Sequence, residues 1–575
     1  MTIKVPVLVV GGGPTGLCLA SDLAWRGTDC LLIEKRRTRE MHPKATLLGP
    51  RSMELLRRWN IDDQIYANAL PNDLIYRIFF VMGMNGPVLT CFESPSIDHF
   101  RYRRTEEAKR WPELMWSPYG KTQIGQHAVE PVLLDVARKQ PRLDLREGWE
   151  LVGFEQNAAF VRAVIREIDT GRQETVEADY MVGCDGGASA VRRALGIRFV
   201  GRGPMRANVT FLFRSPEFSR SHALGGGNLF YNMMPDTFGV FMSIDGKDLW
   251  GYQFYFLDPK AKTDNPDVTG ILHRAVGRPF EFELLSLTHW HHHQSVAMRF
   301  RDGRVFLAGD AAHLFSPTGG VGMNTGIVDS FDLSWKLDAA VKGWGGKWLL
   351  DSYEEERRPI AIMNTQWAAA NSDKIDMIMS EVTPEHLEKG PRGELLRAQL
   401  ARRVTWTVSQ YNSTGVHLGY RYQRSSICCP DGETEPPNCS RFVTTSTFPG
   451  FRAPHVWLQD GRSTIDLFGR DFVLVCSHGA GADEAAPLVA AFAGAKVPLS
   501  LAVLDDPAVD AAYQTRFVLV RPDGNVAWRG AQMPADPAQV VDRVRGEGLP
   551  SFMPDWAEPG DVAALWHGAQ ESRAS

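Results

Sequence analysis

Apolar and polar positions follow three styles along this chain. At the start, Ile3 to Val10 is a short β-branched apolar run of the kind a buried parallel strand needs, with Pro6 as a blemish near its beginning. Glycines interrupt it, and Leu17, Leu19, Ala20, Leu23 and Ala24 then mark a helix, followed by a second apolar run from Cys30 to Ile33. From about residue 205 to 295 the pattern changes to period two and becomes rich in aromatics. Leu229-Phe230-Tyr231-Asn232-Met233, Phe238 to Ile244 and Trp250 to Tyr255 predict an antiparallel sheet with one face on a core or a ligand. The third style is a strand ending near Gly309-Asp310, a glycine-rich turn, and a helix whose Ile327, Phe331 and Trp335 recur every four residues, widened by Val328 and Leu337.

Helical sequence continues past the charged stretch from Tyr353 to Pro359 to roughly residue 410, and Cys428 to Pro449 reads as a linker. Beyond it the pattern predicts strand Phe472 to Cys476, a helix around Glu484 to Ala493, strands Leu499 to Leu504 and Phe517 to Val520, a Pro522-Asp523-Gly524 turn, Val526 to Trp528, and a helix near Ala538 to Val544.

At 575 residues the chain exceeds one hydrophobic core, so two or three domains are expected. A net charge of -5 with no long basic run argues against nucleic acid and anionic membranes as partners. The eight cysteines show no Cys-x-x-Cys spacing and read as reduced thiols. With strand-like sequence from Ile3 and no apolar run of membrane-spanning length, the expectation is a soluble cytoplasmic protein.

Gly11, Gly13 and Gly16 form Gly-x-Gly-x-x-Gly. The missing side chains allow a tight turn, close approach of a pyrophosphate, and close packing of helix on strand. The helix that follows points its amides at that phosphate. Glu34, eighteen positions after Gly16, can accept hydrogen bonds from an adenosine ribose. In isolation the glycines are equally a plain turn; the strand before, the helix after and the acid favour a dinucleotide without separating NAD from FAD. Gly11, Gly13, Pro14, Thr15, Gly16, Glu34 and Lys35 are the cofactor-binding residues expected at this end.

Two further segments separate them. Asp179 to Arg192 resembles the Asp-Gly motif of the group A flavoprotein monooxygenases, the para-hydroxybenzoate hydroxylase-type aromatic hydroxylases. Gly309-Asp310 with the Pro-Thr-Gly-Gly-x-Gly-Met-Asn run resembles their Gly-Asp motif, so three motifs in order cover most of residues 1–400. The resemblance implies non-covalent FAD, with Asp310 on the ribityl chain and Pro317, Gly320, Gly322, Met323 and Asn324 along the isoalloxazine edge. It places Gln126 near the ribityl or phosphate, and Asp185 beside both FAD and a transient nicotinamide site. Independently of the family, the amides from Gly319 to Asn324 and the helix start after them can stabilise negative charge on a reduced flavin. Lys44 stands where relatives often carry arginine, a point charge in place of a fork; Ser316 and Val321 also depart from the usual pattern. Val520 to Gly524 and Val526 to Arg529 resemble the thioredoxin-like C-terminal domain of the phenol hydroxylase and polyketide hydroxylase branch. Without Cys-x-x-Cys, that domain is expected to pack, stabilise or help form a homodimer.

The expected fold is therefore α/β: a Rossmann-like FAD-binding domain (1–74, 103–200 and 296–400), an inserted antiparallel-sheet substrate domain (75–102 and 201–295), a helical linker segment (401–449), and a thioredoxin-like domain (450–575). The resemblance implies an FAD-dependent monooxygenase that consumes NAD(P)H and molecular oxygen. It would hydroxylate a small phenolic aromatic substrate through a flavin C4a-hydroperoxide. The alternatives are a tailoring oxygenase on a polycyclic polyketide or alkaloid, including Baeyer–Villiger insertion, and a non-oxygenating flavin reductase or inactive homologue. Tyr231, Met233, Phe241, Trp250 and Tyr252 are candidates to line the substrate pocket, although core packing is the commoner fate of such residues. Arg51 and Tyr231 are candidate catalytic groups; spacing settles neither. His289, His291, His292 and His293 cannot converge on one ion from an extended strand, so no metal is expected and a polar strand edge is the preferred reading.

Overall fold

The computed structural model describes residues 2–221, 224–256, 265–422 and 425–548. The end of the expected C-terminal domain, 549–575, lies outside the described residues.

The first sheet brings together strands from distant parts of the chain. Its order is Arg301–Asp302, Val305–Leu307, Gln173–Gly183, Thr2–Val10, Cys30–Glu34, Leu143–Glu147. The pairs at its centre are parallel, with Val10 opposite Gly183 and Gly183 opposite Leu307. Three carboxyl ends therefore finish side by side, and the turns after them, starting at Gly11, Cys184 and Ala308, open on one edge. That edge is where open α/β sheets bind ligands. Helices Pro14–Arg26 and Gly322–Lys342 pack together in the same core.

The second sheet runs His313–Leu314, Glu283–Ala297, Phe199–Arg214, Leu249–Tyr255, Gly239–Ser243, Leu229–Asn232, Tyr76–Val81, Val88–Ser94. The segment after residue 75 thus joins it, with Tyr76–Val81 parallel to Leu229–Asn232. Alternation sorts its aromatics onto two faces. On one, Tyr231 stacks on Phe80 at 4.6 Å between centroids, beneath Ile375 and Ile378 of the long Ser352–Glu381 helix. On the other, Phe79, Phe230, Phe241 and Tyr252 pack beneath helix Val268–Val276. Each fully buried phenylalanine there contributes roughly 1.5–3 kcal/mol relative to exposure.

The C-terminal sheet, Leu499–Val503, Phe472–Cys476, Phe517–Val520, Val526–Gly530, shares its core with Trp335 and Ala339 of the Gly322–Lys342 helix. Buried charges complete the junction. Arg521 bonds Glu356 (2.5 and 2.8 Å) and Asp523 (2.5 Å), while Lys336 bonds Asp332 (2.7 Å) and Glu356 (2.6 Å). Asp332, Glu356 and Asp523 present oxygens close enough together for a cation, but Lys336 and Arg521 already supply the positive charge. Among the described residues, no helix is long and apolar enough to cross a membrane.

Candidate functional site

The first turn discriminates between its glycines. Gly11 has φ +109°, and a Cβ on it would overlap the Cys184 carbonyl; one on Gly16 would overlap the Gly11 carbonyl. Both are required by the protein's own packing. A Cβ on Gly13 meets nothing within 4 Å, so no protein atom demands glycine there. The turn is thus a backbone cradle open to a ligand, with the amide-bearing end of helix Pro14–Arg26 behind it, and a pyrophosphate fits it. Pro14 occupies the first helical turn, where its missing N–H costs nothing. Thr15 is wedged against both Gly309 and Gly326, its Oγ1 2.6 Å from the Cβ either would carry. Glu34 Oε2 accepts from the Gly12 amide at 2.6 Å, and Lys35 is exposed.

Arg39, which the sequence did not single out, donates to the Gly12 carbonyl and to Glu147 (3.2 Å), placing a guanidinium at the phosphate turn. Lys44 is exposed and pairs with Glu40 at 2.7 Å. Gln126 begins helix Gln126–Arg138; its amide donates to the Ala45 carbonyl and its side chain to Glu130 (2.6 Å). After the second strand end, Asp185 Oδ2 accepts from the amides of Ala190 (2.7 Å) and Val191 (3.2 Å), while buried Oδ1 has no partner among the described residues.

The third turn carries Asp310. Its side chain opens onto the cleft yet is crowded by protein atoms; that crowding raises its carboxyl above the ordinary value, opposed by the charges of His313 and Lys44. Contact with solvent keeps it ionised at neutral pH. Asp329, which the sequence gave no reason to select, fixes this turn. Oδ2 accepts from the Gly309 amide (3.2 Å) and bonds His313 Nε2 (2.6 Å), while Oδ1 accepts from Arg357 Nε (2.8 Å). Burial opposes its ionisation, but His313 and Arg357 outweigh that and hold the carboxyl below its usual range.

Along the next loop, Gly319 (φ +91°) lies against the Trp367 ring and Gly320 (φ +65°) against Leu47, ahead of helix Gly322–Lys342. Pro317 is exposed; Gly322 and Met323 are half-buried at the helix start. Asn324 acts differently from the expectation of a cofactor contact. Its Oδ1 accepts from Gly49 N and Ser52 Oγ (both 2.7 Å), and its Nδ2 donates to Leu47 O (3.0 Å) and Gly320 O (2.7 Å). It is a bracket that sets the loop against residues 47–52.

The second sheet meets this loop directly. His292 Nδ1 bonds Ser316 Oγ (2.8 Å) and Ser372 Oγ (3.2 Å), and Leu47, against Gly320, belongs to the same buried cluster as Tyr231, Met233 and Tyr255. His292 therefore points inward, fully buried and stacked on Trp290 at 4.9 Å, in contrast to the expected polar strand edge. Burial, with Arg206 and the neighbouring histidines, drives its imidazole well below the ordinary value.

Of the expected pocket residues, Tyr231 and Met233 lie on this face. Phe241, Trp250 and Tyr252 do not: the period-two alternation turns them to the far side beneath helix Val268–Val276. Arg51 is also placed elsewhere. It is buried and donates to Glu54 (3.0 Å), the Asp523 carbonyl (2.6 Å), Asn525 (3.2 Å) and Tyr420 (3.3 Å), so it locks the C-terminal sheet to the first domain. A cleft of about 520 Å³ lined by Trp25, Arg57, Arg58, Asp466 and Arg470 lies on that junction, away from the three turns, and its arginines are already engaged.

Known proteins share this arrangement. Residues 4–368 match the family described as FAD binding domain, and residues 446–548 match the aromatic-ring hydroxylase C-terminal family. The chain is 33% identical over 551 residues to the FAD-dependent monooxygenase apdD of Emericella nidulans, covering 91% of this chain and 87% of that protein. It is 32% identical over 522 residues to aklavinone 12-hydroxylase DnrF of Streptomyces peucetius, covering 88% and 98%. The structure of the rebeccamycin biosynthetic enzyme RebC with reduced flavin superposes with a TM-score of 0.85 at 36% identity, covering 95% of this chain and all of that one. The open cradle at Gly13, the free Asp185 oxygen and the amides before helix Gly322–Lys342 fit FAD, and the chain belongs to the FAD-dependent aromatic-ring hydroxylases.

Proposed function

We propose that this enzyme hydroxylates the phenolic ring of a polycyclic aromatic substrate, consuming NAD(P)H and molecular oxygen. The observation that carries the reading is the wall shared by the flavin-edge loop and the aromatic face, made by His292 on Ser316 and by Leu47 between Gly320 and the Tyr231 cluster. Bound FAD supplies hydride acceptance and oxygen activation.

The chain's residues supply the surroundings. Amides from Gly319 to Asn324, with the helix start after them, face the position where negative charge gathers on a reduced flavin. Phe80, Tyr231, Met233 and Val240 form an apolar wall that keeps water from the reacting atoms. Burial raises the Tyr231 phenol above its ordinary value, so its proton stays on the hydroxyl oxygen at neutral pH, within 3.4 Å of Gln410 Nε2. Support for a large substrate comes from the relative named for position 12 of aklavinone, since that position belongs to a skeleton larger than one benzene ring.

The test incubates FAD-loaded enzyme with NADH or NADPH and a panel of simple phenols, hydroxybenzoates and polycyclic phenols. The expected result is a product carrying one added oxygen atom, formed in step with nicotinamide oxidation and fastest with a polycyclic phenol. Nicotinamide oxidation that ignores every aromatic and yields no oxygenated product would overturn the reading in favour of a reductase.

A further inference from the structure

The flavin-side face of the second sheet buries more polar atoms than the protein satisfies. Asn208 sits opposite Tyr255 on one neighbouring strand and Trp290 on the other, and Gln253 sits opposite Thr210 and Val240, so all these side chains share one face. His292, two residues from Trp290 and stacked on it, belongs to the same face. Asn208 Oδ1 and Nδ2, Gln253 Nε2 and His292 Nε2 have no hydrogen-bond partner among the described residues. The same holds for Asn371 Nδ2 and Gln410 Oε1, contributed by the covering helical segments. Each of the five residues is at most 6% exposed. Asn371 is next to Ser372, which bonds His292, and Gln410 reaches Tyr231, so the two covering amides lie over the same patch.

Native interiors leave few polar groups unpaired, because each is costly. Six such atoms around one aromatic patch point to a ligand that pairs with them. We infer that this layer recognises a substrate bearing several ketone, quinone or hydroxyl oxygens on fused aromatic rings. The inference rests on the hydroxylase reading above and names its substrate class. Phe80, Tyr231 and Val240 meet the ring faces; the amide N–H groups of Asn208, Gln253 and Asn371 donate to its oxygens; Asn208 Oδ1 and Gln410 Oε1 accept from its hydroxyls. A single phenol oxygen can satisfy only a small part of this set. The layer is uncharged, which suits neutral oxygens. Arg206, the cation beside it, is paired with Asp376 and lies over the Tyr255 ring at 4.3 Å.

The test uses FAD-loaded protein titrated with 2-hydroxyanthracene and with 1,8-dihydroxyanthraquinone, two probes of equal ring number, followed by the flavin absorbance change. Wild type is expected to bind the dihydroxyquinone at least ~10-fold more tightly, and Gln253→Met and Asn371→Leu each to weaken that probe ~10-fold, the worth of one buried hydrogen bond. Binding of 2-hydroxyanthracene and flavin content should stay within about twofold, the size of a packing adjustment rather than a lost hydrogen bond. Equal loss for both probes, or no loss for either, overturns the inference; Gln410→Met, on a separate segment, repeats the test if the sheet variant is unstable. Oxygenated product from the wild type with variants that do not discriminate sinks this inference alone. Retained discrimination with no oxygenated product from any aromatic sinks the hydroxylase reading instead.

Discussion

Gly11 and Gly13 are two residues apart and should respond to alanine in opposite ways. Gly13 has φ -73° and ψ -178°, extended backbone that any residue adopts, and its Cβ would meet nothing within 4 Å. Gly13→Ala should therefore leave the apoprotein unharmed, or about 0.4–1 kcal/mol more stable through loss of unfolded-state freedom. With FAD, the methyl stands where the pyrophosphate approaches; an overpacking cost of about 1–3 kcal/mol corresponds to a roughly 5- to 150-fold weaker Kd. Gly11→Ala meets φ +109° and the Cys184 carbonyl. Left-handed backbone costs about 1–2 kcal/mol and the overlap about 1–3 kcal/mol, so roughly 2–5 kcal/mol of fold stability should go. The assay is thermal unfolding of apoprotein, paired with FAD titration by flavin fluorescence quenching. A Gly13→Ala protein that bound FAD like wild type, or that lost apoprotein stability as Gly11→Ala does, would refute the assignment of this turn to the phosphates.

Other perturbations separate site from scaffold. Asp329→Asn should weaken FAD binding by about 10- to 100-fold, since 1.4 kcal/mol is a factor of ten and a charge-assisted bond at Gly309 and His313 is lost; unchanged FAD affinity by titration would exclude its positioning role. Arg51→Met breaks a buried ion pair, and thermal unfolding should show a loss of about 3–5 kcal/mol with the flavin-to-protein ratio of folded material unchanged. Selective loss of substrate turnover at full stability would restore Arg51 to the substrate side. Glu355 offers a pH test. Burial raises its carboxyl to about 7, against hydrogen bonds from Ser426 and assisted by the charge of Glu356. A raised folded-state value stabilises fully at acid pH, below the unfolded value, and that contribution is lost as pH rises through about 7. Glu355→Gln should therefore gain on the order of 1–2 kcal/mol over wild type at pH 8 and nothing near pH 4, read from denaturant midpoints at the two pH values; an equal gain at both would sink the reasoning.

The phosphate turn, the acid after the second strand, and the Gly-Asp loop were legible because each is local: strand, glycine spacing and helix lie within a few dozen residues. The C-terminal strands were legible for the same reason, as runs such as Phe472–Cys476 are apolar throughout. What failed did so for identifiable reasons. Tyr231 and Phe241 carry the same aromatic signal, but registers of one residue separate the flavin side from the far core, and period-two alternation alone does not say which parity faces which way. Arg51 was read beside a cofactor loop, whereas its partners Asp523 and Asn525 lie some 470 positions away. Asp329 and Asn324 sit on one helix and look alike as polar interruptions of its apolar stripe, yet one braces the Gly309 turn and the other brackets Leu47 to Gly320.

Sequence alone determined the elements that close short loops, because backbone sterics, strand alternation and helix periodicity act over a few residues: three strand ends with glycine turns, an aromatic antiparallel sheet, and a separate C-terminal α/β unit. Tertiary structure alone decided the rest. Parallel pairing set Val10, Gly183 and Leu307 abreast and so assembled one cofactor edge from three distant turns. Packing beneath helices Val268–Val276 and Ser352–Glu381 chose which sheet face meets the flavin loop. Burial then turned ordinary amides and one histidine into an unsatisfied polar layer, because the cost of an unpaired group arises only once water has been removed from it.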